Sequence, residues 1–145
     1  MPSFIIEGGH RLKGNITPQG AKNEALQVLS AALLTDAPVI LHNLPDILDI
    51  NNQIRLLQDV GVSIQRTSPH DIILQANAVD TQYLQSDEFL QRCGKLRGSV
   101  MLMGPLLARF GQAMIARPGG DHIGRRRLDT HFLGLEKLGG KILYD

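Results

Sequence analysis

The sequence predicts an α/β fold made of repeated βαβαββ units around buried helices, and three observations carry that expectation. "PVILHN" at Pro38–Asn43 has a counterpart in "QAMIAR" at Gln112–Arg117, and "LLQDVGVSI" at Leu56–Ile64 has one in "GLEKLGGKI" at Gly134–Ile142. The offsets nearly agree, 74 from 38 to 112 and 78 from 56 to 134, as expected for one duplicated supersecondary unit with a small length change. Finally, segments apolar on nearly every face alternate with segments apolar along one stripe, so some helices are expected inside protein and others at its surface.

Taken in order, the first copy opens with a short strand near Gly14–Thr17. A helix near Ala21–Leu34 follows, in which Ala25, Leu26, Val28, Leu29, Ala31, Ala32, Leu33 and Leu34 leave no polar face, predicting a buried element. After a strand at Val39–Asn43, a second helix is expected near Ile47–Val60. There Ile50, Ile54, Leu57 and Val60 form a stripe and leave Asn51, Asn52, Arg55, Gln58 and Asp59 to solvent. Strands at Ser63–Thr67 and Asp71–Gln75 close the unit, with "SPHD" supplying turn residues between them. In the second copy the helices fall near Leu96–Arg109, again buried, and Leu128–Leu138, and Asp145 lies inside what should be the penultimate strand. The expected division is a first unit at 21–76 and a truncated second unit at 90–145, so the chain reads as a fragment, or as one truncated relative to its relatives.

Composition excludes several classes. At 145 residues and 43% hydrophobic, the chain suits one compact domain. Its net charge of +1 means that any electrostatic function must come from local clustering. Nucleic acid is disfavoured as a partner by that charge together with 4% aromatics and no Trp. The single cysteine, Cys93, excludes an internal disulfide framework and a cysteine zinc site; its place ahead of a helix, with Lys95 and Arg97 nearby, favours a lowered pKa, but no basic partner is identifiable and the thiol is expected to be inert. His10, His42, His70, His122 and His131 show no metal-ligand spacing, so no metal or cofactor is expected. "VMLMGPLLA" at Val100–Ala108 is far shorter than the ~20 residues that span a bilayer, and Met-Pro-Ser-Phe does not start a secretory signal. A cytoplasmic protein without membrane contact is the expectation.

The chemistry-bearing feature is cationic charge at helix starts, where the macrodipole favours anions. Lys22 follows "TPQG", Lys95 and Arg97 precede the second buried helix, and Arg125, Arg126 and Arg127 precede the helix of Leu128. A bound phosphate converts that repulsion into attraction. The mixture of planar arginine forks and mobile lysine suits a ligand with more than one anionic group.

These residues also carry a resemblance. "GAKNEAL" at Gly20–Leu26, "LRGSVMLMGPLLARFG" at Leu96–Gly111 and "PGGDHIGRRRLDTHFLGLEKLGG" at Pro118–Gly140 resemble the N-terminal part of the UDP-N-acetylglucosamine 1-carboxyvinyltransferase family, over essentially the whole chain. The related shikimate-pathway transferase usually has a Ser-Lys-Ser motif where this chain has Ala21-Lys22-Asn23. The resemblance implies transfer of enolpyruvate from phosphoenolpyruvate to the 3′-hydroxyl of UDP-N-acetylglucosamine, the first committed step of peptidoglycan synthesis and cell-wall formation. It also implies an inside-out α/β barrel of two domains, with residues 1–20 lending a strand to the second and 21–145 forming part of the first.

By the same resemblance Lys22 and Asn23 lie at phosphoenolpyruvate, Arg97 contacts the nucleotide sugar, and Arg126, Arg127, Leu128, Asp129 and Thr130 hold the uridine and diphosphate side. Asp121 stands where many members have a loop cysteine. It is the candidate proton donor, and its presence implies fosfomycin resistance. Lys22 and Arg126 are the expected stabilisers of charge in the transition state. Arg127 replaces a usual proline, which removes a fixed φ from the uridine loop. A non-catalytic module binding a nucleotide sugar or other phosphorylated ligand is the alternative reading.

Overall fold

The computed structural model describes residues 3–117, 119 and 127–144. The first copy forms much as its periodicity dictates. Helix α1 spans Lys22–Ala31 and tightens into a 3₁₀ turn at Ala32–Leu34; strand β1 is Val39–Leu41, helix α2 Leu48–Asp59, and strands β2 and β3 are Ser63–Arg66 and Ile72–Gln75. The strands make one antiparallel sheet in the order β1-β3-β2, with Ile40 opposite Ile73 and Ile64 opposite Leu74. Central β3 alternates as a strand between a core and an outer face must: Ile72 and Leu74 are fully buried, Ile73 and Gln75 are not. The β2–β3 turn is held by Asp71, whose backbone carbonyl accepts the Thr67 N–H at 3.0 Å and whose carboxylate accepts the Ser68 hydroxyl at 2.7 Å.

Helix α2 buries Ile50, Ile54 and Leu57 at helical spacing, with Val60 behind them; Arg55 and Gln58 are exposed as its stripe requires, whereas Asn51, Asn52 and Asp59 are half-buried. Leu29 and Leu33 from the first helical stretch, Phe89, Leu102 and Leu106 complete the core. Every-face apolarity overstated the burial of α1 and of the second apolar helix. The α1 stretch packs one side on α2 and on residues 97–102, while Val28 is 37% and Leu34 53% exposed. Met101 is likewise 38% exposed.

The second copy departs further from expectation. The helix expected at Leu96–Arg109 is a 3₁₀ segment, Arg97–Leu102, running into α4 at Met103–Phe110. The Ser99 hydroxyl donates to the carbonyls of Cys93 and Leu96 at 2.9 and 2.7 Å, and Gly98 sits against Leu26, so local side-chain bonding and close packing hold the tighter turn. Ahead of it lies a helix that periodicity did not predict, α3 at Asp87–Lys95, capped by Ser86 accepting from the Phe89 N–H at 3.2 Å. Asp87 and Glu88 in its first turn and Arg92 and Lys95 in its last complement the helix dipole. Helix α5, Asp129–Lys137, matches the last expected helix.

Three expected strands do not form. Residues 14–17, 112–117 and 141–144 carry no strand pairing among the described residues, because an extended segment becomes a strand only when a neighbour satisfies its backbone groups. The stretch from 3 to 19 is exposed throughout, with Phe4, Ile5, Leu12 and Ile16 each more than 90% exposed. Among the described residues from 90 onward the chain forms helices and no strand.

Candidate functional site

The approach to α1 is fixed by contacts that begin in the sheet. Asp71 Oδ1 accepts the Asn43 N–H at 3.1 Å, and Asn43 takes the left-handed conformation with φ of 57°. Gly20 lies against the Asn43 carbonyl so closely that a Cβ there would stand 1.9 Å from the oxygen, so only glycine fits. A groove of about 250 Å³ opens beside this junction, lined by Gly20, Ala21, Glu24, Val28, His42 and Asn43. The Asp71 carboxyl is held below its ordinary value by the Ser68 hydroxyl, then by the Asn43 N–H, with His42 at 3.1 Å adding to both.

Lys22 is the first residue of α1, and its ammonium lies 2.9 Å from Asp49 in the first turn of α2. The two helix N-termini are thus joined by an ion pair whose side chains are 48% and 42% exposed. Asn23 is exposed beside it. Leu26, one turn further on the face that carries Lys22, meets Gly98, whose Cβ position would lie 3.0 Å from Leu26 Cδ2. Arg97, half-buried, is the residue before Gly98 at the head of the 3₁₀ segment, which packs on α1. The fold therefore brings the elements of Lys22, Asn23 and Arg97 together, although 75 positions separate Lys22 from Arg97.

Lys95 is not at a helix start. It is the last residue of α3, where a cation is favourable, and the anion-site argument loses it. Arg127, Leu128, Asp129 and Thr130 gather at the N-terminus of α5, where the Arg127 guanidinium pairs with the Asp129 carboxylate and Asp129 suits the helix dipole. Among the described residues, no hydrogen bond or ion pair joins this run to Lys22. Asp121, Arg125 and Arg126 lie outside the described residues. Gly119, two positions before Asp121 in sequence, is described: it packs on the backbone of Gly94 and Lys95, at the end of α3 that leads to Arg97.

Sequence reasoning missed Asp49. Asp49 carried a signal only as an acid in the first turn of a striped helix, and its pairing with Lys22 is a product of packing. Cys93 is fully buried inside α3, and burial pushes its thiol up to about 12, so Lys95 and Arg97 do not activate it. No group of His, Cys, Asp and Glu that could hold a metal occurs among the described residues, and none of their helices is long and apolar enough to cross a membrane.

Sheet, helices and cationic helix starts define a class that comparison makes specific. Residues 6–145 match the model of the EPSP synthase (3-phosphoshikimate 1-carboxyvinyltransferase) family, and the chain belongs to that family. Within it, the chain is 58% identical over 145 residues to the UDP-N-acetylglucosamine 1-carboxyvinyltransferase of Bacteroides fragilis, and 54% identical over 144 residues to that of Porphyromonas gingivalis. These matches take in 100% and 99% of this chain and 33% of each relative, so the chain spans about a third of the length of the curated relatives it matches. Among solved structures, the enolpyruvyl transferase NikO from Streptomyces tendae aligns with a TM-score of 0.59 and 26% identity, over 72% of this chain and 23% of that one.

Proposed function

We propose that this chain supplies the N-terminal part of an enzyme that transfers enolpyruvate from phosphoenolpyruvate to the 3′-hydroxyl of UDP-N-acetylglucosamine, releasing phosphate, in the cytoplasmic stage of peptidoglycan synthesis. The observation that carries it is 58% identity, spread over all 145 residues, to a relative named for that activity. Ala21-Lys22-Asn23, in place of the Ser-Lys-Ser of the shikimate-pathway enzyme, supports the nucleotide sugar over shikimate phosphate as acceptor. Residues 21–145 then form part of a first domain, and residues 1–20, among which Phe4, Ile5, Leu12 and Ile16 face solvent, lend a strand to a second.

In this reading the 3′-hydroxyl gives its proton to a general base in the rest of the enzyme as its oxygen bonds to C2 of phosphoenolpyruvate, while C3 takes a proton from the Asp121 carboxyl. The tetrahedral adduct then breaks its C2–O bond, phosphate leaving with the electron pair, while a C3 proton returns to the Asp121 carboxylate. Lys22 and Arg126 offset charge on phosphate and carboxylate, Asn23 and Arg97 orient donor and acceptor, and Arg127 to Thr130 hold the uridine and diphosphate side. The packing of α1 on the segment headed by Arg97 supports their sharing one cleft.

The test is a chimera in which this chain replaces the matching third of the Bacteroides fragilis relative. Phosphate release that requires both substrates is expected. Binding of the nucleotide sugar without release would favour the non-catalytic module.

A further inference from the structure

The described residues bury three polar side chains, Ser30, Gln53 and Ser99. Two of them bond locally: Ser30 donates to the Leu26 carbonyl, and Ser99 to those of Cys93 and Leu96. Gln53 reaches from one α-helix to another. It is fully buried on α2, and its Nε2 donates to the Ser30 hydroxyl on α1 at 3.0 Å, which donates in turn to the Leu26 carbonyl at 2.8 Å. Its Oε1 has no partner among the described residues and lies against a third element, 3.5 Å from where a Cβ on Gly98 would stand.

This one amide therefore touches α1, which begins with Lys22 and Asn23, and the 97–102 segment, which begins with Arg97, from a place on α2 one turn beyond Asp49. Each of the three elements packs on the other two. An amide here is costly to the fold, because Oε1 is withdrawn from bulk water and a methionine of about the same length would fill the space without an unmet acceptor. Direction is what an apolar side chain does not supply. Apolar contact tolerates small rotations and slides, whereas a donor held to a single hydroxyl sets how α1 is turned on α2.

From this junction we infer that Gln53 is a positioning residue: its bond to Ser30 fixes the setting of α1 against α2 and the 97–102 segment, and so the placement of Lys22 relative to Arg97. The inference rests on the enolpyruvyl-transfer reading, in which Lys22 serves phosphoenolpyruvate and Arg97 orients the nucleotide sugar. Gln53 is buried beneath both and touches neither substrate.

The test compares Gln53→Met, Ser30→Ala and the double variant in the chimera, with Leu57→Met, one turn further along α2 and also fully buried, as control. Gln53→Met is expected to lower kcat about tenfold and to leave KM for both substrates within about twofold, because groups carried on two elements lose alignment rather than contact. Ser30→Ala should lose a similar factor and the double variant no more than either alone, since all three break the same bond. Leu57→Met should match the parent. In the 145-residue chain, Gln53→Met should speed amide hydrogen exchange across Leu26 to Ser30 about tenfold while its urea midpoint does not fall. Unchanged kcat, additive losses or unchanged exchange overturns the inference. So does a lower urea midpoint, or activity that falls only with the folded fraction, since either makes the amide structural alone. An inactive unmutated chimera defeats the enolpyruvyl-transfer reading and the catalytic purpose given to Gln53; the exchange rates then decide separately whether the amide fixes α1.

Discussion

The Lys22 ammonium lies 2.9 Å from the Asp49 carboxylate, joining the first turns of α1 and α2. An exposed pair of this kind contributes little to stability, about 0–1 kcal/mol. If Lys22 serves the bridge, removing either partner has the same effect. If it serves phosphoenolpyruvate, the effects differ: in the chimera, Lys22→Ala should lower kcat/KM by about 100-fold or more, while Asp49→Asn changes it only a few fold. Steady-state kinetics on the two variants decides it, and equal losses would assign Lys22 to the bridge.

Arg109 closes the core from the α4 side. Its Nη1 donates to the carbonyls of Leu33, Thr35 and Ala76 at 2.8–2.9 Å, and its guanidinium lies 5.0 Å from the Phe110 ring centroid. Three acceptors share that nitrogen's two hydrogens, so Arg109→Met should cost about 2 kcal/mol in urea unfolding. Arg109→Lys should recover less than half, because an ammonium lacks the planar guanidinium that stacks on Phe110. A loss within about 0.5 kcal/mol would show that water satisfies those carbonyls as well.

Gln53 presents the opposite case. It is fully buried, its Nε2 donates to the Ser30 hydroxyl at 3.0 Å, and its Oε1 has no partner among the described residues. Ser30 keeps its own bond to the Leu26 carbonyl at 2.8 Å when Gln53 is removed. Gln53→Met should therefore stabilise the chain by about 1 kcal/mol, measured by urea unfolding. Destabilisation would show that an internal water completes the site.

Asp71 links pH to the α1 junction. Its folded carboxyl sits below the ordinary 3.8, so its contribution is present above that value and fades as pH falls through the lower, folded one. Urea midpoints of parent and Asp71→Asn should differ at about pH 6 and converge well below about pH 4. A constant difference would mean that Asp71 acts through its neutral hydrogen bonds alone.

Cys93 works in the alkaline direction. Burial raises its thiol to about 12, so the unfolded chain ionises first as pH climbs past the ordinary 9.0, and stability declines between those values. Cys93→Ala should lack that decline in urea midpoints taken across the range; a parallel decline would place its origin in lysine and tyrosine titration.

Local pattern made the first copy legible. The stripe of Ile50, Ile54 and Leu57 and the turn residues Ser68 to Asp71 each act over a few positions, and the structure follows them to within a few residues. Helix α3 also had a local signal, Ser86 followed by Asp87 and Glu88, but the unit comparison placed the second copy's first helix later and passed over it. The strands of the second copy failed for another reason: alternation shows what a segment can pair as, and pairing needs an edge that local sequence does not contain. Lys22 and Arg97 were singled out as cationic helix starts and, with Asn23, as motif members, and their elements do pack together. Their joining through Leu26 and Gly98, the Asp49 partner, and the fit of Gly119 on Gly94 arise from long-range packing.

The central claim is enolpyruvyl transfer, and the most direct measurement is the mass of the nucleotide sugar after incubation with the chimera and phosphoenolpyruvate. The account predicts UDP-N-acetylglucosamine carrying one enolpyruvyl group at the 3′-oxygen, one phosphate released for each product, and neither with Asp121→Ala. Unmodified nucleotide sugar from a folded chimera that binds both substrates, or equal product from Asp121→Ala, would contradict it.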